Sequence, residues 1–256
     1  MVTDQQYESI ELQSRMFHCL WEAAWIASGA TEMKLFLVRH AQSLANREAG
    51  CWADPPLTAL GVRQARCTAA WLSRHEFRPE ILQSRSERFA ADVVYSSPMR
   101  RAIETSAEIV RVLDAPLVVD ARLFEVGGMG CGGIGVWGGL PRLEIEKRFK
   151  GAGVGFTGGY HQMGWWFSSC PESLDAAFSR ISAWLREMKG RHGEDVVLVV
   201  GHGALFDLLA AAAFGWKRKI WMSMENAAVA RIDYDGNEWK LVFWNQCDHL
   251  SGMHSY

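Results

Sequence analysis

Two short apolar runs that end in the same way constrain the fold of this chain most strongly. The run "LFLV" at 35–38 leads through an arginine into His40, and the run "VVLVV" at 196–200 leads through a glycine into His202. Continuous apolar runs of this length are typical of strands that are buried on both faces of a parallel sheet. Parallel strands end at a common edge, where open α/β sheets bind their ligands, so we expect the two histidines to face each other in one site.

The rest of the chain alternates between strand patterns and helix patterns. Strands separated by helices predict crossover connections and a mostly parallel sheet with helices on both faces. Near the end, an Asp235-Gly236 turn between two strand-like runs predicts a hairpin. The predicted fold is therefore a three-layer α/β/α sandwich whose mostly parallel sheet has an antiparallel edge. The predicted strands are 34–38, 92–96, 117–119 and 195–200, and the predicted helices are 57–73, 98–113, 171–189 and 203–214.

Composition favours one large globular domain preceded by a short extension. The chain has 256 residues, of which 49% are hydrophobic and 22% charged, as in ordinary globular proteins. Residues 7–27 have apolar side chains at helical spacing, so 1–33 are predicted to be an N-terminal helical extension and 34–256 the main domain. The extension would pack back on the domain or mediate contact between two copies in a homodimer.

Several classes of partner receive no support from the sequence. A net charge of −2 provides no basic field for nucleic acid or a membrane surface. No window reaches the roughly 18 uninterrupted apolar residues of a membrane span, and acidic residues near the N-terminus do not fit a secretory signal. Six scattered cysteines without C-x-x-C pairing favour neither a disulfide framework nor a zinc site. We therefore expect a cytoplasmic protein with reduced thiols, no metal and no cofactor.

A third segment, "SSPMRRAIETSAEIV", places cations at the start of a predicted helix. Ser97 is predicted as the N-cap and Pro98 as the first helical residue, so Arg100 and Arg101 fall in the first turn. Cations are disfavoured there by the helix dipole, whereas a bound phosphate or carboxylate would compensate them. The alternative is that both arginines point into solvent.

These motifs together resemble those of the histidine phosphatase superfamily. Arg39-His40-Ala41-Gln42-Ser43 with Asn46 is similar to its R-H-G-x-[ST]-x-x-N signature, with alanine in place of the glycine and glutamine in place of the usual glutamate. Four further matches follow in the family's order, and all five together span about residues 34 to 245. They are the segments 57–65, 96–105, 123–125 and 201–203, with Asn226 ahead of the last strands.

The resemblance implies a role for each matched residue. His40 would be the nucleophile that forms a phosphohistidine intermediate, and Glu125 would be the general acid and base. Arg101, rather than Arg100, matches the family's phosphate arginine because it stands immediately before the alanine. Glu104 and Asp120 are the alternative carboxylates and are interpreted as a helix-face charge and a loop residue. The remaining site residues implied by the resemblance are Arg39, Asn46, Arg101, His202 and Gly203, which would surround the phosphate oxygens without any metal.

The resemblance also favours hydrolysis over phosphoryl transfer between two positions of a sugar acid. Mutases of this family carry an E-R-H-Y-G run at the acid, which is not visible here, and "GVWGGLPRLEIEKRFKG" resembles the phosphatase branch. The expected partner is a small phosphate ester. Trp137, Trp165 and Trp166, with His161, fall where the family covers its substrate, which favours a bulky or partly apolar leaving group. A phosphoglycerate mutase-type enzyme and a catalytically inactive module that binds a phosphorylated ligand remain the alternatives.

A glycine-rich region at 127–159 is interpreted as a long surface excursion that could act as a lid. Within it, "GCGGIG" at 130–135 satisfies the G-x-G-x-x-G pattern of dinucleotide-binding proteins. It follows no convincing strand and precedes no helix, so the context that gives this motif its meaning is missing. A nicotinamide titration without fluorescence change would exclude that function.

Overall fold

The computed structural model describes residues 32–48, 54–74, 89–129, 137–149, 154–167, 170–217 and 222–253. The strands are β1 (Met33–Arg39), β2 (Val93–Ser96), β3 (Leu117–Asp120), β4 (Val154–Thr157), β5 (Val196–Gly201), β6 (Val229–Tyr234) and β7 (Trp239–Gln246). The helices are α1 (Leu44–Arg47), α2 (Ala59–Arg74), α3 (Arg100–Leu113), α4 (Arg142–Arg148), α5 (Leu174–Arg191) and α6 (Gly203–Phe214). Two single 3-10 turns, Ala121–Leu123 and Asp248–Leu250, complete the described elements.

The seven strands form one sheet in the order β4-β3-β2-β5-β1-β6-β7. The first five strands in that order are parallel, and β6 and β7 are antiparallel neighbours at one edge. The mostly parallel sheet with an antiparallel edge is therefore confirmed. In the centre, Arg39 on β1 lies in register with Gly201 on β5.

Helices cover both faces of this sheet, because alternate residues of the central strands point to opposite sides. Phe36 and Val38 of β1 join a cluster with residues of α2 and α3 on one face. Leu35 and Leu37 join a cluster with residues of α5 and α6 on the other face. The predicted three-layer sandwich is confirmed, and both faces of β1 are buried as its unbroken apolar run indicated.

Some sequence-based expectations about local structure were wrong. The region 127–159 is not only a surface excursion, because it contains α4 and the strand β4, which pairs in parallel with β3. The strand sequence "VGFT" is short and contains a glycine, so it carries little strand signal. In addition, α3 begins at Arg100 with Met99 as its N-cap, so Pro98 is not its first residue.

Some predictions fall partly or wholly outside the described residues. The N-terminal helix at 7–27 and the "GCGGIG" segment lie there, and the division at residue 33 stays a prediction. Among the described helices, none combines the length and the apolar character that a membrane crossing requires. Cys67, Cys170 and Cys247 are free thiols, and the described residues contain no cluster of three or more potential metal ligands.

Candidate active site

His40 and His202 lie side by side at the carboxyl edge of the sheet. Each follows its strand by one residue, and the backbone N–H of His40 donates to the carbonyl of Gly201 at 2.9 Å. The centroids of the two imidazole rings are 5.1 Å apart. The expectation that the two strand ends bring these histidines together is confirmed, and both side chains are buried.

The contacts of His40 determine which of its ring nitrogens is nucleophilic. Nδ1 lies 2.8 Å from the carbonyl oxygen of Ala41. A carbonyl can only accept, so Nδ1 carries the proton and Nε2 presents its lone pair. The Nε of Arg101 donates to that Nε2 at 3.2 Å. Burial, together with the charges of Arg101 and Arg39, holds the pKa of His40 well below its ordinary value of 6.5, so the ring stays neutral.

The backbone around His40 is held from three sides. The side-chain amide of Asn226 donates to the carbonyl of His40 at 3.0 Å, and the N–H of Ala227 donates to the carbonyl of Arg39 at 3.0 Å. On the other side, the N–H of Ala41 donates to the hydroxyl of Thr105 at 3.1 Å. The imidazole is therefore positioned by strand, helix and loop together rather than by its own rotamer preference.

A tight contact between Gly61 and the backbone after His40 fixes the next part of this loop. A Cβ built on Gly61 would lie 2.0 Å from the carbonyl oxygen of Gln42. That oxygen accepts the N–H of Thr58 at 2.9 Å, and the amide oxygen of the Gln42 side chain accepts the Thr58 hydroxyl at 2.7 Å. Only a residue without a side chain permits this approach of α2 to the loop.

Two buried side-chain nitrogens next to each other at the strand ends have no hydrogen-bond partner within the described part of the chain. They are Nε of Arg39 and Nδ1 of His202. Another nitrogen of Arg39 donates to the carbonyl of Met224, and the other ring nitrogen of His202 contacts the hydroxyl of Ser97 at 2.7 Å. Gly203 lies next to them, since a Cβ built on it would be 3.8 Å from Nε of Arg39. Buried polar nitrogens without partners are costly, so the two mark a ligand site, and the cationic Arg39 favours an anionic ligand there.

The two arginines at the start of α3 have different environments. Arg101 lies beside His40, whereas Nε of Arg100 donates to Glu104 at 2.8 Å. The sequence-based preference for Arg101 thus corresponds to its position in the pocket. The N-terminus of α3 also has a carboxylate of the chain itself, because the N–H of Arg100 donates to Asp54 at 2.8 Å. Burial raises the pKa of Asp54 to about 6 despite this bond and both arginines.

Glu125 lies at the N-terminus of α6, the helix that begins directly after His202, and its carboxyl group is within range of the charge of Arg101. Its Oε1 accepts the N–H groups of Val126 at 2.9 Å and Leu205 at 3.0 Å. Burial raises the pKa of Glu125 above its ordinary value of 4.5, and these N–H groups and the charge of Arg101 oppose the rise. The carboxyl group is therefore biased toward its protonated form even before any phosphate is present.

The alternative carboxylates occupy structural positions. Glu104 accepts from the backbone N–H of Leu57 at 2.8 Å as well as from Arg100. Asp120 is the last residue of β3, not a loop residue as predicted, and is fully buried. It pairs with Arg122 at 2.7 Å and accepts the indole N–H of Trp184 at 3.0 Å.

Asn46 lies at the rim of the site, on the single turn α1. Its side-chain oxygen accepts the N–H of Ser43 at 3.0 Å and the Ser43 hydroxyl at 2.9 Å. The Nδ2 of Asn226 is also within 3.4 Å of that oxygen. With its oxygen used in these bonds, the amide N–H₂ group is the end of Asn46 that a ligand could meet.

Aromatic side chains pack beside Glu125. The ring of Phe124 stacks on Trp165 with centroids 5.4 Å apart and meets Trp166 edge-on at 5.3 Å. Trp137 stacks on His161 at 4.3 Å, farther along the same segment. Trp165 and Trp166 are buried, so they pack with Phe124 into an aromatic wall rather than forming an open surface.

Sequence reasoning gave Ser97 and Asp54 no place in the site. Ser97 was interpreted as a helix cap, yet its hydroxyl contacts His202. Asp54 is 46 positions from the arginine whose N–H it accepts, and no local pattern could connect the two. Asn226 was recognised only as part of the family pattern, and its bond to the carbonyl of His40 is visible only in three dimensions.

Comparison with known proteins agrees with this geometry. The sequence profile of the histidine phosphatase superfamily (branch 1) matches residues 35–247. Two Hydrogenobacter thermophilus proteins have phosphoserine phosphatase names, the first of them provisional. The first is 30% identical over 227 residues, covering 84% of this chain and 97% of that protein. The second is 27% identical over 232 residues, covering 85% and 94%.

A solved structure has the same fold. It is a mutant phosphoserine phosphatase from Entamoeba histolytica in complex with phosphoserine, which superposes with a TM-score of 0.57 at 20% identity and covers 85% of this chain and 99% of that one. With the family profile spanning most of the chain and the two strand-end histidines meeting at the edge of the sheet, the protein is a member of the histidine phosphatase superfamily, branch 1.

Proposed function

We propose that this protein hydrolyses small phosphate monoesters through a phosphohistidine formed on Nε2 of His40. The observation that carries the proposal is a neutral imidazole whose Nε2 lone pair lies beside Arg101 and near two buried nitrogens, of Arg39 and His202, that have no partner among the described residues. A phosphoryl group is an electrophile that also brings anionic oxygens for those donors.

In the first step, Nε2 of His40 attacks phosphorus and the bond between phosphorus and the ester oxygen breaks. The non-bridging oxygens are held by Arg39, Arg101 and His202, with the backbone at Gly203 and the amide of Asn46 at the rim. These cationic and N–H donors stabilise the charge of the transition state. Glu125, whose pKa is raised by burial, gives a proton to the leaving alkoxide.

In the second step, water attacks the phosphohistidine and the bond between nitrogen and phosphorus breaks. Glu125, now a carboxylate, takes a proton from that water, which returns it to its starting state. Inorganic phosphate leaves and His40 regains its lone pair. Each step is carried by groups of the chain itself, and residues 34–256 would form the catalytic domain.

The leaving group is proposed to be a small organic alcohol with some apolar surface. Phe124, which precedes Glu125 in the chain, packs against Trp165 and Trp166, so apolar side chains lie in the segment next to the acid. Relatives named as phosphoserine and glucosyl-3-phosphoglycerate phosphatases make phosphorylated amino acids and glycerates the first compounds for a substrate screen. Equal kcat/KM across leaving groups of different size would contradict a role for the aromatic wall.

The test is hydrolysis of p-nitrophenyl phosphate in excess EDTA by wild type and by His40→Ala, combined with trapping of the phosphoenzyme. We expect turnover in EDTA, loss of turnover in His40→Ala, and an acid-labile, alkali-stable phosphoryl group in wild type only. Glu125→Gln tests the general acid in the same assay. Its matched control is Glu104→Gln, because Glu104 accepts hydrogen bonds from Arg100 and Leu57. Phosphate binding without turnover of any ester would instead support the inactive binding module, and transfer between positions of phosphoglycerate would support a mutase.

A further inference from the structure

Ser97 contacts one ring nitrogen of His202 and leaves the other ring nitrogen facing the site. Its Oγ lies 2.7 Å from Nε2 of His202, and both side chains are fully buried. Nδ1 of His202 is buried and has no partner in the described part of the chain. The direction of the hydrogen bond between Ser97 and His202 therefore decides what Nδ1 offers to a ligand.

The surroundings of Ser97 determine that direction. Its Oγ already accepts the backbone N–H of Met99 at 3.2 Å. The hydroxyl has one hydrogen to donate, and within the described ranges the acceptor next to it is Nε2 of His202. A fully buried hydroxyl that donates to nothing loses the free energy of a hydrogen bond, so its hydrogen points to Nε2.

A neutral imidazole that accepts at Nε2 carries its proton on Nδ1. His202 is neutral because it is fully buried next to the guanidinium groups of Arg101 and Arg39, which together hold its pKa well below 6.5. The opposite tautomer would leave the Ser97 hydroxyl without an acceptor. It would also turn a lone pair of Nδ1 toward any anion bound beside Nε of Arg39.

We propose that Ser97 is a positioning residue that fixes His202 as its Nδ1–H tautomer, so that Nδ1–H donates to a non-bridging phosphoryl oxygen. The identity of the acceptor rests on the proposed function, whereas the tautomer itself does not. A hydroxyl behind the ring thus makes a neutral histidine a permanent donor, in the way that partners of metal-bound histidines fix which nitrogen is protonated.

The tautomer can be measured in the ligand-free protein. Two-bond ¹H–¹⁵N correlation spectra of protein labelled with ¹⁵N-histidine distinguish Nδ1–H from Nε2–H, and His202→Gln identifies the resonances of that ring. We expect Nδ1–H in wild type and in Ser97→Thr, which keeps the hydroxyl, and a shift toward Nε2–H in Ser97→Ala. Nε2–H in wild type, or an unchanged tautomer in Ser97→Ala, would overturn the proposal.

Ser96→Ala is the matched control for the structural cost of removing a buried hydroxyl. Ser96 is also fully buried, and its Oγ donates to the carbonyl of Ser97 at 2.9 Å and accepts from Ser106 at 2.9 Å. We expect this variant to leave the tautomer of His202 unchanged. A tautomer shift of equal size in both alanine variants would mean that general repacking, and not the Ser97 hydroxyl, controls the ring.

Binding of inorganic phosphate tests the second half of the proposal. If the Nδ1–H form falls to about a tenth in Ser97→Ala, phosphate affinity should fall about tenfold, because binding must then select the minor tautomer. Ser96→Ala should stay within about twofold of wild type. A tautomer shift without loss of phosphate affinity would overturn Nδ1–H as a phosphate donor, while wild type that binds no phosphate would refute the proposed function and leave the measured tautomer standing.

Discussion

The contact between Gly61 and the loop after His40 predicts that Gly61→Ala is destabilising although it puts the best helix former into α2. The φ angle of Gly61 is ordinary, so conformational strain is not the reason. The new Cβ would lie 2.0 Å from the carbonyl oxygen of Gln42, where real contacts reach no closer than about 3.0 Å. Helix and loop would therefore have to separate by about 1 Å.

The cost of that separation can be worked from the bonds it breaks. Overpacking of this kind costs about 1–3 kcal/mol. The Thr58 N–H to Gln42 bond of 2.9 Å would be stretched as well, at about 1 kcal/mol. Helix propensity returns about 1 kcal/mol. The net loss is about 1–3 kcal/mol, which for a protein of this size lowers Tm by roughly 2–12 °C.

Gly190→Ala is the matched control, because Gly190 also lies within a helix. A Cβ built on it has no atom within 4 Å, so this variant should gain about 0.5–1 kcal/mol. Thermal and urea unfolding monitored by circular dichroism measure both effects, and kcat/KM should fall in Gly61→Ala alone, since Gln42 is two residues from the nucleophile. Gly61→Ala at or above wild-type stability, with Gly190→Ala behaving as expected, would refute the steric reasoning.

Three further predictions follow from the charges around the site. The pKa of Asp54 is raised from 3.8 to about 6, so its contribution to the free energy of unfolding is full below pH 4 and is lost as pH rises toward 6. Asp54→Asn should therefore flatten the decline of the urea-unfolding free energy between pH 4 and 6. An unchanged dependence on pH in this variant would contradict the prediction. Glu172 pairs with Arg180 at 2.6 Å, and both side chains are nearly buried, so Glu172→Gln should lower the free energy of unfolding by about 3 kcal/mol. Replacing both Glu172 and Arg180 by methionine should cost less, because no unpaired charge is left buried. A double-mutant cycle measures both effects, and a larger loss in the double variant would contradict this reasoning. Glu125→Gln should reduce kcat/KM far more for an alkyl phosphate than for p-nitrophenyl phosphate, because the p-nitrophenolate leaving group needs no proton. The variant should also lose the fall in alkyl-phosphate turnover at high pH. Equal losses of kcat/KM for the two esters would exclude Glu125 as the general acid.

The parts of the fold that were predictable from sequence are those whose signals are local. The buried runs at 35–38 and 196–200 have no polar residue to place at a surface, so they fit only central strands, and their parallel register then determines that His40 and His202 meet. β4 and α4 escaped prediction because each is short and their stability comes from packing on β3 and the nearby core rather than from propensity.

The parts of the site that were not predictable depend on contacts between distant segments. The start of α3 was misplaced because the Ser97 hydroxyl, a good N-cap by residue type, contacts His202 as well as the N–H of Met99. Met99 is left as an N-cap without a side-chain bond, and Asp54 supplies the carboxylate at this helix end from 46 residues upstream. A tertiary contact of Ser97 thus overrides its local preference for the N-cap position, and a distant segment supplies the carboxylate at this helix end.

The arrangement of charge at the strand ends separates two tasks that a single residue could not perform together. Arg39 and Arg101 remain cationic and attract the phosphoryl group, and their fields and burial keep His40 and His202 neutral. A protonated His40 would bind the anion well but would have no lone pair with which to attack it. Because the folded protein resists protonation of both rings, their contribution to the free energy of unfolding is lost as pH falls below 6.5. The contribution of Asp54 has the opposite dependence on pH and is lost as pH rises. Replacing Arg101 by methionine should therefore raise the pKa of His40 while weakening phosphate binding, and an unchanged His40 titration in that variant would show that burial alone keeps the nucleophile neutral.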